Sequence, residues 1–409
     1  MAKRRSWWAN PVMREAVALT QGGGAVDNHY EGLVATRARL LNTQNTTNKQ
    51  YVSRSSHVAT DTITSLKVIF SNFRAGAHDT PPTTDVGLGT ATTTEAWIEY
   101  PAGTFTRITF SGVNAGTIPD ADYLVSDAVA VSIPSGSQFW VRQYWSNATG
   151  ILYLNGIRDA GASGDLLQVA ASGLVANDAI GTISHNAGTA YAPPLAIIAQ
   201  TLTASAILIG DSVIAGYGDT TNDVDGRRGA VASSLGTALA FLNLGQSGER
   251  ANNFLTNAPT RKKLIAAGYC SHVICNFGRN DIDASQTKAQ IIASLQAIWA
   301  TIPASRKVFQ CTITPRSTST DSWATVANQT TSPTNAVRID LNADIRTAAF
   351  AGMDGYWDVA DGIESARDSG KFSEAGTPPH TADGIHPDPS GYDLIVTAAV
   401  VNPADMVWP

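Results

Sequence analysis

Charged side chains are scarce in this sequence, 15% of 409 residues, where soluble domains usually carry about 25%. Disorder maintained by charge repulsion is thereby excluded. The 28 Lys and Arg are outnumbered by 34 Asp and Glu, and basic residues cluster no further than Lys3-Arg4-Arg5 and Arg261-Lys262-Lys263. Neither nucleic acid nor a membrane surface is expected as a partner. Uninterrupted apolar runs are short too, none approaching the roughly 18 residues of a membrane-spanning helix. A secretion signal would need an apolar stretch behind Lys3-Arg4-Arg5, but Asn10, Pro11, Arg14 and Glu15 break it. With no clear leader, localisation stays open among cytoplasmic, virion- or surface-associated, and secreted with the signal removed. Cysteine is rarer still: Cys270, Cys275 and Cys311 cannot all pair and show no C-x-x-C spacing. Cys275 and Cys311 sit in apolar runs and read as buried small hydrophobes rather than as a zinc or redox site.

What is present is length and two distinct apolar patterns. A chain of 409 residues exceeds what one hydrophobic core usually organises, so two domains are expected. Residues 1–50 read as an N-terminal lead-in, with a short helix near 11–19. Residues 51–200 read as an accessory β-domain, because apolar residues there recur with period two: Leu66, Val68 and Phe70 alternate with Lys67 and Ser71, and Val129, Val131 and Ile133 with Ala130 and Ser132. Short strands separated by Gly, Pro, Asn and Asp predict an antiparallel, jelly-roll-like β-sandwich. The aromatics Trp97, Tyr100, Trp140, Tyr144 and Trp145 either fill that core or present a carbohydrate platform, and filling is the commoner role.

From residue 201 to 409 the pattern changes. Short apolar runs at 206–209, 241–244, 273–277 and 308–313 alternate with helical stretches near 228–242, 252–267, 288–299 and 336–350. This alternation predicts an α/β domain with a parallel sheet covered on both faces, whose chemistry collects at the carboxyl ends of the strands. Polar blocks follow those ends in order: Gly210-Asp211-Ser212, then Asn243-Leu244-Gly245-Gln246-Ser247-Gly248, then Gly278-Arg279-Asn280-Asp281. A fourth block, Asp383-Gly384-Ile385-His386-Pro387, precedes the last helix.

These residues fit a hydrolytic site on chemical grounds alone. A serine hydroxyl is a poor nucleophile at neutral pH and needs a bonded base; imidazole can take its proton and return it to the leaving group. His386 is the candidate base for Ser212, and Asp383, three residues earlier, can fold back to orient the ring. The ordered set also resembles the SGNH hydrolases of the GDSL lipase/esterase superfamily over about residues 203–402. That resemblance implies a three-layer, flavodoxin-like catalytic domain and an oxyanion hole made by the backbone N–H of Ser212 and Gly248 and the side-chain amide of Asn280. Gly248, not Gly245, matches the family position. Arg279 and His380 are candidate substrate-binding residues, Arg279 alternatively a support for its loop and His380 a rim residue, and Asp211 is read as a brace for the turn. No G-x-S-x-G elbow, H-E-x-x-H, P-loop or dinucleotide fingerprint occurs, so no metal or cofactor is expected.

The expected function is serine carboxylester hydrolysis through an acyl-enzyme. The resemblance to sandwich-plus-hydrolase carbohydrate esterases points to short acyl, chiefly acetyl, esters of a small molecule or polysaccharide. A phage-tail or surface carbohydrate-binding protein with accessory esterase activity is the alternative, as is a lipase or thioesterase of the same superfamily. Oligomeric state is not legible.

Overall fold

A computed structural model describes residues 29–76, 84–155, 164–219, 227–374 and 378–408; the helix expected near 11–19 lies outside them. Two antiparallel sheets form the N-terminal half. One orders strands Tyr30–Leu33, Ala196–Thr201, Ile63–Ser71 and Tyr123–Val125, with Val129–Ile133 also paired to Ile63–Ser71. The other orders Gly116–Ile118, Thr92–Glu99, Gln138–Ser146, Gln50–Val58 and Leu166–Ala170, with Phe105–Ile108 on Thr92–Glu99. Inward residues of both, among them Leu66, Val68 and Phe70 from the first and Ile98, Val141 and Trp145 from the second, share one core. The result is a β-sandwich, as the period of two requires. Of the aromatics in question, Trp97 and Trp145 are buried, while Tyr100, Trp140 and Tyr144 are half-buried.

The C-terminal half is a six-stranded parallel sheet in the order Ala38–Arg39, Ala240–Asn243, Ser205–Ile209, His272–Cys275, Lys307–Cys311, Gly355–Trp357. Both faces are covered, which is why its strands read as continuous apolar runs. Ile207 and Ile209 pack into one core with Phe254, Leu264, Leu295 and Leu341 of the helices on that side. Ala206 and Leu208 pack into the opposite core with Val231, Tyr392 and Ile395. Two helices depart from expectation. The stretch near 252–267 is Ala251–Asn257 followed by Pro259–Ala267, because Pro259 has no N–H to donate and forces Ala258 out of the helical region. The stretch near 228–242 forms only Ala230–Leu235, ended by Gly236 at φ 62°.

The lead-in needs correction. Within the expected 1–50 segment, Tyr30–Leu33 completes the sandwich sheet and Ala38–Arg39 forms the edge of the parallel sheet. The two halves share a continuous core in which Leu33, Ile69 and Phe73 meet Ile207, Leu242 and Val273. They are also joined by a buried ion triad: Arg261 Nε lies 2.7 Å from Asp85 Oδ1, and its Nη1 lies 2.6 Å from Glu249 Oε2, all three side chains at 0% exposure. Asp85 Oδ2 accepts further bonds from the backbone N–H of Thr260 and Arg261.

Candidate active site

The strand Ser205–Ile209 ends in a tight turn at Gly210, φ 153°. A Cβ there would lie 2.9 Å from Ile214 Cγ2 and 3.0 Å from Asn276 Cβ, so the neighbouring strand end leaves no space for one. The turn presents Ser212, 5% exposed, at the carboxyl edge of the sheet. Its Oγ lies 2.8 Å from His386 Nε2. On the far side of the ring, Nδ1 lies 2.6 Å from Asp383 Oδ2. Asp383 Oδ1 accepts the backbone N–H groups of Ile385 and His386, closing the loop on itself. Burial pushes the Asp383 carboxyl up, but the bonds from the His386 ring and these two N–H groups outweigh it, holding the group well below the usual carboxylate range. An ionised Asp383 fixes the Nδ1–H tautomer and leaves Nε2 free to accept the Ser212 proton.

The second and third blocks build the other wall. Asn243 Nδ2 donates to Ile214 O and its Oδ1 accepts from Gly245 N, clamping the loop beyond Ser212. Gly245 is a packing glycine: a Cβ would fall 2.4 Å from Ile214 Cγ2. Gly248 instead is exposed, with φ 76°. Asn280, in the helix Arg279–Asp283, donates from Nδ2 to Glu249 O at 3.0 Å. That bond holds the amide against the Gly248 loop and uses one of its two N–H groups, leaving the other for a ligand.

For Arg279 and His380 the structure favours a supporting role. The Arg279 side chain is 2% exposed, its Nε 3.7 Å from Asp283 Oδ1 and its Nη1 donating to Thr314 O; it lies behind the Asn280 loop rather than at a ligand surface. His380 is half-buried, with Nδ1 2.8 Å from Ser373 Oγ, while its carbonyl accepts from Asp388 N, the cap of the last helix Pro389–Thr397. It braces the loop instead of facing outward. A residue the sequence reading passed over is Tyr217, 55% exposed, whose ring centroid stands 4.6 Å from that of His386. Its carbonyl is held by the hydroxyl of the buried Tyr392. The flanking Gly216 and Gly218 were the available signal, since they mark a tight turn beside the nucleophile.

Asp211 accepts from Val213 N and so braces the turn, but its Oδ2 is buried without a protein partner. Burial raises its pKa to about 7, the Val213 bond opposing and Asp281 adding to the rise. Asp281, also buried, is raised to about 6 by burial against the bond from Ala251 N. Both folded-state values exceed the unfolded value of about 3.9. At these two groups the folded protein therefore holds protons that the unfolded chain has lost, and their contribution to stability falls as pH rises from about 4 to 7, while His57 and His272, lowered by burial to about 3 and about 4, contribute the opposite slope below about 6.5. Paired melting scans isolate the Asp211 share: the Tm of the wild type relative to that of Asp211→Asn is expected to fall between pH 5 and pH 8. A difference between the two Tm values that stays flat or rises over this interval would contradict this.

Residues 208–394 match the family model of the GDSL-like Lipase/Acylhydrolase family. Those residues are a GDSL-like lipase/acylhydrolase domain. The enzyme class is accordingly carboxylic ester hydrolase, and the α/β half has the SGNH fold. No curated protein matches the chain. Among solved structures, a lipolytic G-D-S-L family protein from Veillonella parvula is 20% identical, with 48% of this chain and 97% of that one covered and a TM-score of 0.35. A carbohydrate acetylesterase from Sinorhizobium meliloti is 14% identical, covering 50% and 100%, with a TM-score of 0.34. An acetyl-xylooligosaccharide esterase from Geobacillus is 13% identical, covering 49% and 97%, also at 0.34. Among the described residues no cluster of three or more His, Cys, Asp or Glu could hold a metal ion, and no helix of the hydrolase or the sandwich is long and apolar enough to cross a membrane.

Proposed function

We propose that Ser212 is acylated by short-chain, chiefly acetyl, esters of carbohydrates and then hydrolysed, with His386 as general base and acid and Asp383 as its orienting carboxylate. The observation that carries this reading is the unbroken chain Asp383 Oδ2, His386 Nδ1, His386 Nε2, Ser212 Oγ at 2.6 and 2.8 Å. As Oγ attacks the ester carbonyl, its proton passes to Nε2. The imidazolium then protonates the departing alkoxide, and a water, deprotonated by the same nitrogen, releases the acid and restores Ser212. The negative charge on the tetrahedral carbonyl oxygen is received by the N–H groups of Ser212 and Gly248 and the amide of Asn280.

A cavity bordered by Tyr217, whose ring stands near that of His386, favours a short acyl group. The cavity of about 180 Å³ beside Tyr217 is lined mainly by polar groups, including Arg39, Asn42, Arg228, Asn243 and Gln246, an unfavourable place for a long alkyl chain. A series of p-nitrophenyl esters, run beside acetate release from acetylated xylan, tests the reading: acetate is expected to be the best acyl group, with kcat/KM falling steadily beyond butyrate. A rate rising toward decanoate would replace it with a lipase or thioesterase.

Asn280→Ala separates transition-state from ground-state roles. It is expected to cost about 10²–10³ in kcat, the usual effect of deleting one oxyanion donor. A raised KM at unchanged kcat would instead make Asn280 a substrate-binding group.

A further inference from the structure

We infer that the sugar half of the ester docks in a groove built by the hairpin Ser317–Ser319 and Gln329–Thr331, where Arg316, Thr318 and Thr330 recognise its hydroxyls. This deepens the carbohydrate-ester reading and rests on it. After the strand Lys307–Cys311 the chain leaves the carboxyl edge of the sheet and forms this antiparallel pair, in the crevice zone where α/β sheets bind ligands. One side of the hairpin is fixed to the base loop, Ser317 N donating to Gly384 O two residues before His386. The other is fixed to the oxyanion helix: Arg316 Nη1 lies 2.6 Å from Asp283 Oδ2, one turn beyond Asn280. The hairpin that walls the groove thus bridges the segment carrying the base and the segment carrying the oxyanion amide.

Its size and chemistry suit a sugar ring. The volume is about 450 Å³, within the roughly 300–1,000 Å³ of small-molecule sites. Threonine methyls and Pro333 supply apolar surface for the C–H face of a pyranose, and the exposed Thr318 and Thr330 supply hydroxyls. Arg316 adds donors and Asp283 an acceptor. On the protein side of that pair Arg279 Nε faces Asp283 Oδ1 at 3.7 Å, so the Asp283 carboxylate is held in place between two guanidinium groups. The hairpin is also rigid. Ser317 Oγ donates to Gln329 Oε1 and accepts from Trp323 Nε1, and Ser319 Oγ accepts from Trp323 N. A ligand binding there meets preformed walls, which lowers the ordering cost of recognition.

The test compares two esters on the same preparations of wild type, Arg316→Met and the double variant Thr318→Val/Thr330→Val. One substrate is an acetylated xylo-oligosaccharide and the other p-nitrophenyl acetate, which has no sugar. The ratio of kcat/KM for the oligosaccharide to that for p-nitrophenyl acetate is expected to fall at least about tenfold in each variant, through a raised oligosaccharide KM, as loss of one or two hydroxyl contacts predicts. An unchanged ratio, whether both rates fall together or neither moves, would overturn the groove as a sugar site. Wild type that cleaves p-nitrophenyl acetate but no acetylated glycan would also overturn it, while leaving ester hydrolysis intact. Wild type inert toward both esters would instead refute the underlying hydrolase reading.

Discussion

Ser212→Ala and His386→Ala are each expected to lower kcat by about 10⁴-fold or more, with the double variant losing little beyond either single change. The reason is that the hydroxyl and the imidazole do one job. Without the ring, Ser212 keeps its proton, and without the hydroxyl, the ring has nothing to activate on the acylation pathway. Asp383→Ala should cost less, since a misoriented imidazole still accepts a proton. It should also loosen the turn, because Asp383 Oδ1 holds the backbone N–H groups of Ile385 and His386. Steady-state kinetics on p-nitrophenyl acetate, with Tm as a folding control, measure all four. Multiplicative losses in the double variant would mean that the two residues act independently.

The second large effect is on stability. Arg261→Ala is expected to destabilise the protein by about 3–5 kcal/mol, the usual result of removing one partner from a buried ion pair. Asp85 and Glu249 would be left as carboxylates at 0% exposure without their guanidinium. Urea unfolding measures the loss, and a change under about 1 kcal/mol would show that the triad is not what joins the halves. Activity should fall as well, since Glu249 follows Gly248 and its carbonyl holds the Asn280 amide. Asp85 lies in the sandwich half, so a fragment starting near residue 195 would lack it together with the edge strand Ala38–Arg39. Such a fragment is expected to be insoluble, although all four motif blocks lie within it.

The contrast between these two predictions marks how far the sequence alone reaches. The candidate nucleophile was legible because its motif directly follows an apolar run that ends a parallel strand, and the candidate base because its Asp-x-x-His block stands just before the last helix. Sandwich strands were legible for a related reason: Leu66, Val68 and Phe70 alternate with polar residues on one pleated surface. What escaped notice depends on partners far away in the chain. A two-residue strand such as Ala38–Arg39 carries no periodic signal, and its pairing with Leu242 and Asn243 spans some 200 positions. Arg261 sits in a basic triplet that looks solvent-exposed until Asp85 and Glu249 are seen to enclose it. Whether Arg279 lines the pocket or supports its loop was open for the same cause, because burial of a guanidinium is decided by tertiary neighbours and not by its place in the motif. Trp97 and Trp145 went to the interior, as their payload of apolar area favours.

The central claim is that a covalent acyl intermediate forms at Ser212. Intact-protein and peptide mass spectrometry after treatment with a serine-directed organophosphonate tests it most directly. The account predicts complete loss of esterase activity at one label per chain, all of it on the peptide carrying Ser212, with no label in Ser212→Ala and markedly slower labelling in His386→Ala. Inactivation through another residue, or full turnover by a protein labelled at Ser212, would contradict it.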